Sequence, residues 1–131
     1  MKKGYKQLLA EAEAVVTGIE VAEAAALQAR DDVVFVDLRD PREREREGSI
    51  PGAFPCPRGV LEFWIDPESP YAKEVFQQDK RFVFYCSLGW RSALATKTAQ
   101  EMGLEKVCHL KGGFTAWKAA GSAVETMAAK G

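Results

Sequence analysis

Three short and almost uninterrupted apolar runs constrain the possible fold of this chain more than any other feature of its sequence. They occupy residues 33–36, 82–85 and 107–110 and are rich in β-branched and aromatic residues. Each run is too short for a free-standing helix and is typical of a strand that is buried on both faces. Segments with helical patterns precede or follow these runs, at residues 22–30, 92–102 and 114–120. This alternation predicts an α/β fold with a parallel sheet that is covered by helices on both faces.

The remaining segments predict weaker elements. Short strands are expected at residues 19–21 and around Phe54. Ser69 is followed by a proline, which is typical of a helix start, and this predicts a helix over residues 71–78. Residues 42–47 alternate in charge without an apolar face, which predicts a solvated surface turn or a short helix.

The chain of 131 residues is most simply one domain with short extensions at both ends. Residues 5–16 predict an amphipathic helix, which would either pack on the outside of the domain or mediate association. We therefore expect an N-terminal helical extension at 1–17, the domain itself at 18–125 and a flexible tail at 126–131.

Composition excludes several functional classes. The 18 basic and 19 acidic residues give a net charge of −1, so nothing in the overall charge favours nucleic acid or an anionic membrane as a partner. Three cysteines with no Cys-x-x-Cys pair, and a single histidine, predict neither a metal site nor a disulfide framework. Glu11 and Glu13 interrupt the apolar residues near the N terminus, so we expect no signal peptide, no membrane span and a cytoplasmic location.

Cys86 is the candidate nucleophile. It ends the apolar run at 82–85 and is followed by a tight loop that leads into the predicted helix at 92–102. Unpaired backbone amides and the helix dipole create positive potential at such a position, and this favours a thiolate over a thiol. Asp37 also follows an apolar run, and the carboxyl ends of parallel strands are where ligands bind in sheets of this kind.

Four segments resemble the motifs of the rhodanese-like sulfurtransferase family. They are Asp37-Leu38-Arg39 after a strand, the turn Gly48-Ser49-Ile50-Pro51-Gly52-Ala53, the loop Cys86-Ser87-Leu88-Gly89-Trp90-Arg91-Ser92, and Gly112-Gly113-Phe114-Thr115-Ala116-Trp117. Their order and spacing make the resemblance specific, and it extends from about Gly18 to about Val124. Ser49 departs from the family pattern, which usually has histidine at that position.

The resemblance implies a five-stranded parallel sheet and a two-step sulfur transfer. The Cys86 thiolate would attack the outer sulfur of a donor such as thiosulfate and would then carry a persulfide. A thiol or cyanide acceptor, which can be a small molecule or a protein, would remove that sulfur. The resemblance implies no metal and no organic cofactor.

The residues around Cys86 are expected to support this chemistry. The amides of residues 87–91 (Ser87, Leu88, Gly89, Trp90 and Arg91) are expected to point inward and to stabilise the thiolate and the persulfide. Arg91 adds positive charge at the end of the loop, with Asp37 as the expected partner of Arg91 or of the loop backbone. Ser92 is expected to cap the following helix, and Arg39 to add positive charge at the mouth. The Trp90 side chain is expected to lie at the rim.

The sequence is also compatible with two other functions. Related phosphatases and arsenate reductases use the longer spacing Cys-x5-Arg, whereas four residues separate Cys86 from Arg91 here. A rhodanese-like domain can also be a non-catalytic binding module. Cys56 and Cys108 are interpreted as packing residues, with a resolving role for Cys56 as the alternative, and His109 as a partly buried strand residue rather than a base.

Overall fold

The computed structural model describes residues 1–126. The strands are β1 (Gly18–Ile19), β2 (Val33–Asp37), β3 (Phe54–Pro55), β4 (Arg81–Tyr85) and β5 (Val107–Leu110). The helices are α1 (Tyr5–Val15), α2 (Val21–Leu27), α3 (Pro41–Glu47), α4 (Leu61–Ile65), α5 (Trp90–Met102) and α6 (Gly113–Ala119). No helix in this described part of the chain is long and apolar enough to cross a membrane. The predicted flexible tail at 126–131 lies, except for Thr126, outside the described residues.

The five strands form one parallel sheet in the order β1-β5-β4-β2-β3. This confirms the predicted α/β fold with helices on both faces and an extra N-terminal helix. The central strand is β4, and its last residue, Tyr85, lies beside Asp37 at the end of β2. Cys86 and Asp37 are therefore brought to the same edge of the sheet, as the ends of neighbouring parallel strands must be.

Alternating side chains of β4 enter two separate cores. Phe82 and Phe84 pack on one face of the sheet, with Ala95 and Ala99 of α5. Val83 and Tyr85 pack on the other face, in the core that contains residues of α2 and α6. Since both faces of the strand are covered, every residue from 82 to 85 is buried, which explains the continuous apolar run.

The prediction of a helix over residues 71–78 is wrong. The structure has a short 3-10 turn at Glu74–Gln77. The Ser69 hydroxyl accepts a hydrogen bond from the Tyr71 amide and forms a local turn instead of capping a helix. The Lys73 amide then donates to the Trp64 carbonyl at 2.9 Å, which draws the chain back against α4. Helix α4 itself forms within the apolar residues 60–65, for which the sequence predicted no element.

The strand predicted at 19–21 is displaced toward the N terminus. It comprises only Gly18–Ile19, and α2 begins at Val21 after an extended Glu20. The alternating charges at 42–47 do form a short helix, α3, which was one of the two predicted alternatives. Asp40 caps α3 through a reciprocal capping box with Glu43, and a proline occupies the first helical position.

Helix α1 packs against α5. Its Ala12 is fully buried, and the Gln100 side chain of α5 donates a hydrogen bond to the Val15 carbonyl at 3.1 Å. The N-terminal extension therefore lies on the outside of the domain, as one of the two predicted alternatives proposed.

Candidate active site

Cys86 lies at the carboxyl end of the central strand and at the base of a loop formed by residues 86–91, here called the Cys86 loop. Its side chain is almost completely buried. The Gly89 amide donates to Cys86 Sγ at 3.2 Å, and Ser92 Oγ lies 3.7 Å from the same sulfur. A charge on this sulfur would therefore be met at once by a backbone amide and a hydroxyl.

The backbone of the Cys86 loop presents further donors. Within residues 1–126, the amides of Ser87, Leu88, Trp90 and Arg91 make no hydrogen bond to a protein acceptor. Gly89, with φ +100°, turns the chain into the first residue of α5. Free amides at the start of a 13-residue helix form a site that is suited to an anion.

Ser92 does not cap α5, contrary to prediction. Gly89 occupies the cap position, and Ser92 is already inside the helix. The Ser92 hydroxyl is fully buried and lies between Cys86 Sγ and Nδ1 of His109, 3.1 Å from the latter. The sequence-based interpretation of His109 as a partly buried strand residue therefore missed its contact with the site.

Arg91 is paired with Glu43, whereas Asp37, the predicted partner of Arg91 or of the loop backbone, binds Arg39 and Tyr85 instead. The two terminal nitrogens of Arg91 donate to the two Glu43 carboxylate oxygens at 2.7 and 2.9 Å. The Ser87 hydroxyl donates to the same carboxylate at 2.8 Å. These bonds, led by that from Arg91, lower the pKa of Glu43 from an ordinary 4.5 to about 2. Glu43 therefore fastens both ends of the Cys86 loop to α3.

The signal for Glu43 was weak in the sequence. It stands third after Asp40, at the glutamate position of a capping box, and its carboxylate does accept a hydrogen bond from the Asp40 amide. Yet the same carboxylate reaches Arg91, 48 positions further along the chain. The capping box accounts for the local bond to Asp40, and no local pattern indicates the contact with Arg91.

Asp37 and Arg39 form a buried ion pair beneath the site. Arg39 donates to Asp37 through Nε and Nη2, at 3.0 and 2.8 Å, and both side chains are inaccessible to solvent. Arg39 therefore adds no charge at the mouth, contrary to prediction, because it is enclosed in the core. Its guanidinium carbon lies 4.3 Å from the centre of the Phe114 ring, a cation–π contact.

This ion pair connects three segments of the chain. Arg39 Nη2 donates to the Gly48 carbonyl at 2.7 Å. The Tyr85 hydroxyl donates to Asp37 at 2.8 Å and accepts from the Ile50 amide at 3.1 Å. The end of β2, the turn at 48–50 and the residue before Cys86 are thus held in one buried hydrogen-bond network.

Gly113 allows α6 to approach the Cys86 loop. The Phe114 amide donates to the Cys86 carbonyl at 2.8 Å, and the Thr115 amide to the Ser87 carbonyl at 3.1 Å. Gly113 has φ +60°, and a Cβ on it would lie only 2.5 Å from both carbonyl oxygens. The Gly-Gly pair is therefore required by backbone contact as well as by chain direction.

Trp90 and Leu88 are the exposed side chains of the Cys86 loop. Trp90 is 53% exposed and Leu88 is 57% exposed. The Trp90 ring packs on Tyr5 of α1, with 5.2 Å between ring centres. The N-terminal extension thus touches the rim of the site, a contact that the sequence analysis did not predict.

A comparison with protein families supplies the decisive observation. The family model described as "Rhodanese-like domain" matches residues 20–120, which is most of the chain. The chain belongs to the rhodanese-like domain family. The resemblance inferred from four motifs is thereby confirmed.

Individual relatives of this rhodanese-like domain carry differing descriptions. A solved structure from Rhodopseudomonas palustris, described as of unknown function and a possible tyrosine phosphatase, is 57% identical with a TM-score of 0.93. It covers 95% of this chain and 96% of its own. The thiosulfate sulfurtransferase GlpE of Pseudoalteromonas translucida is 32% identical over 103 residues, 78% of this chain and 89% of its own. The human single-domain sulfurtransferase TSTD1 is 25% identical with a TM-score of 0.65, covering 78% of this chain and 95% of its own.

The other two cysteines of this rhodanese-like domain are packing residues. Cys56 and Cys108 are both free and buried, and burial raises the pKa of each thiol, that of Cys56 to about 12. Thiols held in this neutral form are poor nucleophiles. Among residues 1–126, no group of three or more His, Cys, Asp or Glu side chains could hold a metal ion.

Glu43→Gln is expected to destabilise the rhodanese-like domain by about 1–2 kcal/mol at pH 7, because an amide cannot replace a charged, twofold partner of Arg91. The pH dependence has a defined sign. The pKa of Glu43 is depressed in the folded state, so its ion pair stabilises the fold above pH 4.5 and is lost as the pH falls toward 2. Urea unfolding between pH 2 and 7 measures both effects.

Glu45→Gln is the matched control for this experiment. Glu45 lies exposed on the same helix and makes no ion pair within residues 1–126. The control should keep the acid dependence of the wild type, whereas Glu43→Gln should flatten it. Equal acid dependence in the two variants would contradict the role assigned to Glu43.

Proposed function

We propose that this rhodanese-like domain transfers a sulfane sulfur from a donor such as thiosulfate to a thiol or cyanide acceptor through a persulfide on Cys86. The single observation that carries the proposal is the Cys86 loop itself. It places the Gly89 amide 3.2 Å from Cys86 Sγ and leaves four neighbouring amides without protein acceptors. Sulfurtransferases among the relatives support the same reaction class.

The proposed reaction has two displacement steps. The Cys86 thiolate attacks the outer sulfur of thiosulfate, a sulfur–sulfur bond forms, and sulfite leaves with the electron pair of the bond that breaks. The acceptor thiolate or cyanide then attacks the outer sulfur of the persulfide, and Cys86 leaves as a thiolate. Electrons balance in each displacement, so the domain's own residues need only stabilise negative charge on sulfur.

The geometry around Arg91 favours sulfur transfer over phosphate chemistry. Only four residues separate Cys86 from Arg91, one fewer than in Cys-x5-Arg enzymes, which leaves a narrower ring of amides. Both terminal nitrogens of Arg91 are bound by Glu43. A phosphatase would use such a guanidinium to hold phosphate oxygens in a bidentate way. The amides are therefore the main donors left for a bound group, and a single terminal sulfur needs no more.

The rim provides a surface for the acceptor. Leu88 and Trp90 are half-exposed apolar side chains within the Cys86 loop. They would contact the carbon skeleton of a thiol, from a small molecule or from a protein segment that presents a cysteine. The three free cysteines of this chain agree with a reducing compartment, and we place this activity in the cytoplasm.

Incubation with thiosulfate is expected to add the mass of one sulfur atom to the wild-type chain and none to Cys86→Ser. The serine variant keeps the size of the side chain but cannot form a persulfide. Intact-mass spectrometry makes the measurement, and glutathione should then remove the added mass. Cys108→Ser is the control, because that buried thiol takes no part and its variant should still gain one sulfur.

Two outcomes would replace the proposal. If wild type and Cys86→Ser behave identically with thiosulfate, polysulfide and glutathione persulfide, the domain is a binding module rather than a sulfurtransferase. If the wild type instead hydrolyses p-nitrophenyl phosphate in a manner that depends on Cys86, without gaining sulfur, it is a phosphatase. The second outcome would agree with the description given to the Rhodopseudomonas palustris protein.

A further inference from the structure

A line of three side chains connects the candidate nucleophile to the interior of β5. Cys86 Sγ lies 3.7 Å from Ser92 Oγ, which lies 3.1 Å from His109 Nδ1. All three residues are less than 5% exposed. A hydroxyl between a thiol and an imidazole can donate to either one while accepting from the other. This arrangement permits the direction of both hydrogen bonds to reverse together.

The opposite edge of the imidazole faces a polar cavity. Nε2 of His109 lies 3.3 Å from the position that a Cβ on Gly18 would occupy. A cavity of about 210 Å³ borders that edge and is lined by His109, Gly18, Glu13 and Lys111. His109 thus spans from the buried Ser92 hydroxyl to a cavity with exposed charged side chains.

The charged groups that face His109 are Glu13, from α1, and Lys111, which follows β5. Burial lowers the pKa of the imidazole, Lys111 lowers it further, and Glu13 opposes both. The imidazole is therefore neutral at neutral pH and carries its single proton on one nitrogen or on the other.

We propose that His109 is a positioning residue for Cys86. It acts through Ser92, turning the Ser92 hydroxyl toward the sulfur and conducting the thiol proton to the cavity beside α1. The proposal rests on the proposed function of Cys86 as a nucleophile. It also gives the N-terminal extension a role, because Glu13 of α1 forms one wall of the cavity.

Ionisation of Cys86 would move protons along this line of three side chains. In the thiol state, Cys86 donates to Ser92 Oγ, Ser92 donates to His109 Nδ1, and the imidazole proton is on Nε2. In the thiolate state, His109 Nδ1–H donates to Ser92 Oγ, and Ser92 donates to the sulfur anion. The proton that leaves Cys86 replaces the one that Ser92 passes to His109 Nδ1. The three residues together therefore release one proton, which leaves from Nε2 to solvent in the cavity. The imidazole is neutral in both states, and no electrons are transferred.

The chain contains one histidine, so this proposal can be tested without altering it. Long-range ¹H–¹⁵N correlation spectra of the untagged, ¹⁵N-labelled chain report which ring nitrogen carries the proton. We expect the Nε2–H form to be replaced by the Nδ1–H form over the pH range in which thiolate absorbance at Cys86 appears. In Cys86→Ser this replacement should be absent. An imidazole that keeps one form in the wild type through that range would overturn the proposal.

A mutant cycle separates this role from a merely structural one. His109→Leu and Ser92→Ala are each expected to slow the alkylation of Cys86 by iodoacetamide at pH 7 by roughly threefold to tenfold, as for the loss of one hydrogen bond of ordinary strength. The double variant should be no slower than Ser92→Ala, because His109 acts through Ser92. Additive losses would overturn the proposal, as would unchanged alkylation in His109→Leu.

The direction of the change in alkylation rate distinguishes the loss of a hydrogen bond from a loss of structure. A variant that merely loosened the fold would alkylate faster and would also expose Cys108, which peptide mapping detects. Neither readout uses a sulfur donor. The proton path through Ser92 and His109 can therefore be disproved while persulfide still forms on Cys86. Persulfide can also fail to form while the proton path is observed, so the two results are distinguishable.

Discussion

Asp37→Asn is expected to destabilise the domain by about 3–5 kcal/mol, because it leaves the Arg39 guanidinium charged and without its anion in the core. The ion pair that it breaks is completely buried, with Nη2 and Oδ2 2.8 Å apart. The substituted amide can accept only through one oxygen, whereas the carboxylate now accepts from Arg39 and from Tyr85. Such a loss is a large fraction of the 5–15 kcal/mol that is typical of the net stability of a domain.

Urea unfolding at pH 7 measures this loss, and Asp32→Asn provides the matched control. Asp32 also pairs with an arginine two positions away, but the Arg30–Asp32 pair is about 60% exposed. Its removal should leave the free energy of unfolding almost unchanged, as for other surface ion pairs. If the two variants lost similar stability, the network beneath the site would not be the determinant that its burial implies.

A double variant separates the destabilisation caused by leaving Arg39 unpaired from the net stability that the intact ion pair contributes. Replacement of both residues, as in Asp37→Leu with Arg39→Met, removes both charges and leaves no guanidinium in the core without its anion. We expect it to be more stable than Asp37→Asn alone, because the attraction within a buried ion pair often only offsets the desolvation of its two charges. The pair would then be retained for position: it fixes Tyr85, the residue before Cys86.

The fold, and the meeting of Asp37 and Cys86 at one edge of the sheet, could be predicted from the sequence because both follow from short-range patterns. The apolar runs at 33–36 and 82–85 had to be covered strands, and their carboxyl ends had to meet. The Cys86 loop was identifiable for the same reason, since strand end, glycine and helix start are contiguous. Features that depend on a local pattern could therefore be predicted from the sequence.

The partners of the polar side chains could not be predicted from pattern. Arg39 and Arg91 look alike in sequence, yet one is enclosed between Asp37 and Phe114 and the other reaches Glu43 on the surface. Their partners depend on how α3 lies across the Cys86 loop, which is a tertiary property. The contact between His109 and Ser92 could not be predicted for the same reason, because the pattern of an apolar strand does not indicate which hydroxyl will lie beside the imidazole.

The failed helix at 71–78 shows tertiary packing prevailing over a local signal. Ser69 and its proline are typical of a helix start, and they are the local signal on which that prediction rests. In the structure, Phe76 inserts between Phe54 and Phe82, with ring centres 5.9 and 5.5 Å away. Burial of that ring against both neighbours outweighs the modest stability of an isolated two-turn helix.

Gly113→Ala is expected to cost about 3–5 kcal/mol and to displace the Cys86 loop, because its new methyl group has no space. A Cβ at this position would lie 2.5 Å from the carbonyl oxygens of both Cys86 and Ser87. Those atoms are backbone and accept hydrogen bonds from Phe114 and Thr115, so they cannot yield without breaking the contact with α6. The geometry of the Cys86 loop and the stability of the fold should therefore be lost together.

Gly103→Ala isolates the part of this effect that comes from backbone strain. Gly103 also has a positive φ, +107°, but a Cβ there would meet no atom within 4 Å. The control should cost only about 1–2 kcal/mol, the penalty of a left-handed conformation for an L-residue. Urea unfolding gives both costs, and iodoacetamide alkylation of Cys86 reports whether the loop has moved. If Gly113→Ala lost no more stability than Gly103→Ala and left alkylation unchanged, the close approach of α6 would not be what requires the second glycine of the Gly-Gly pair.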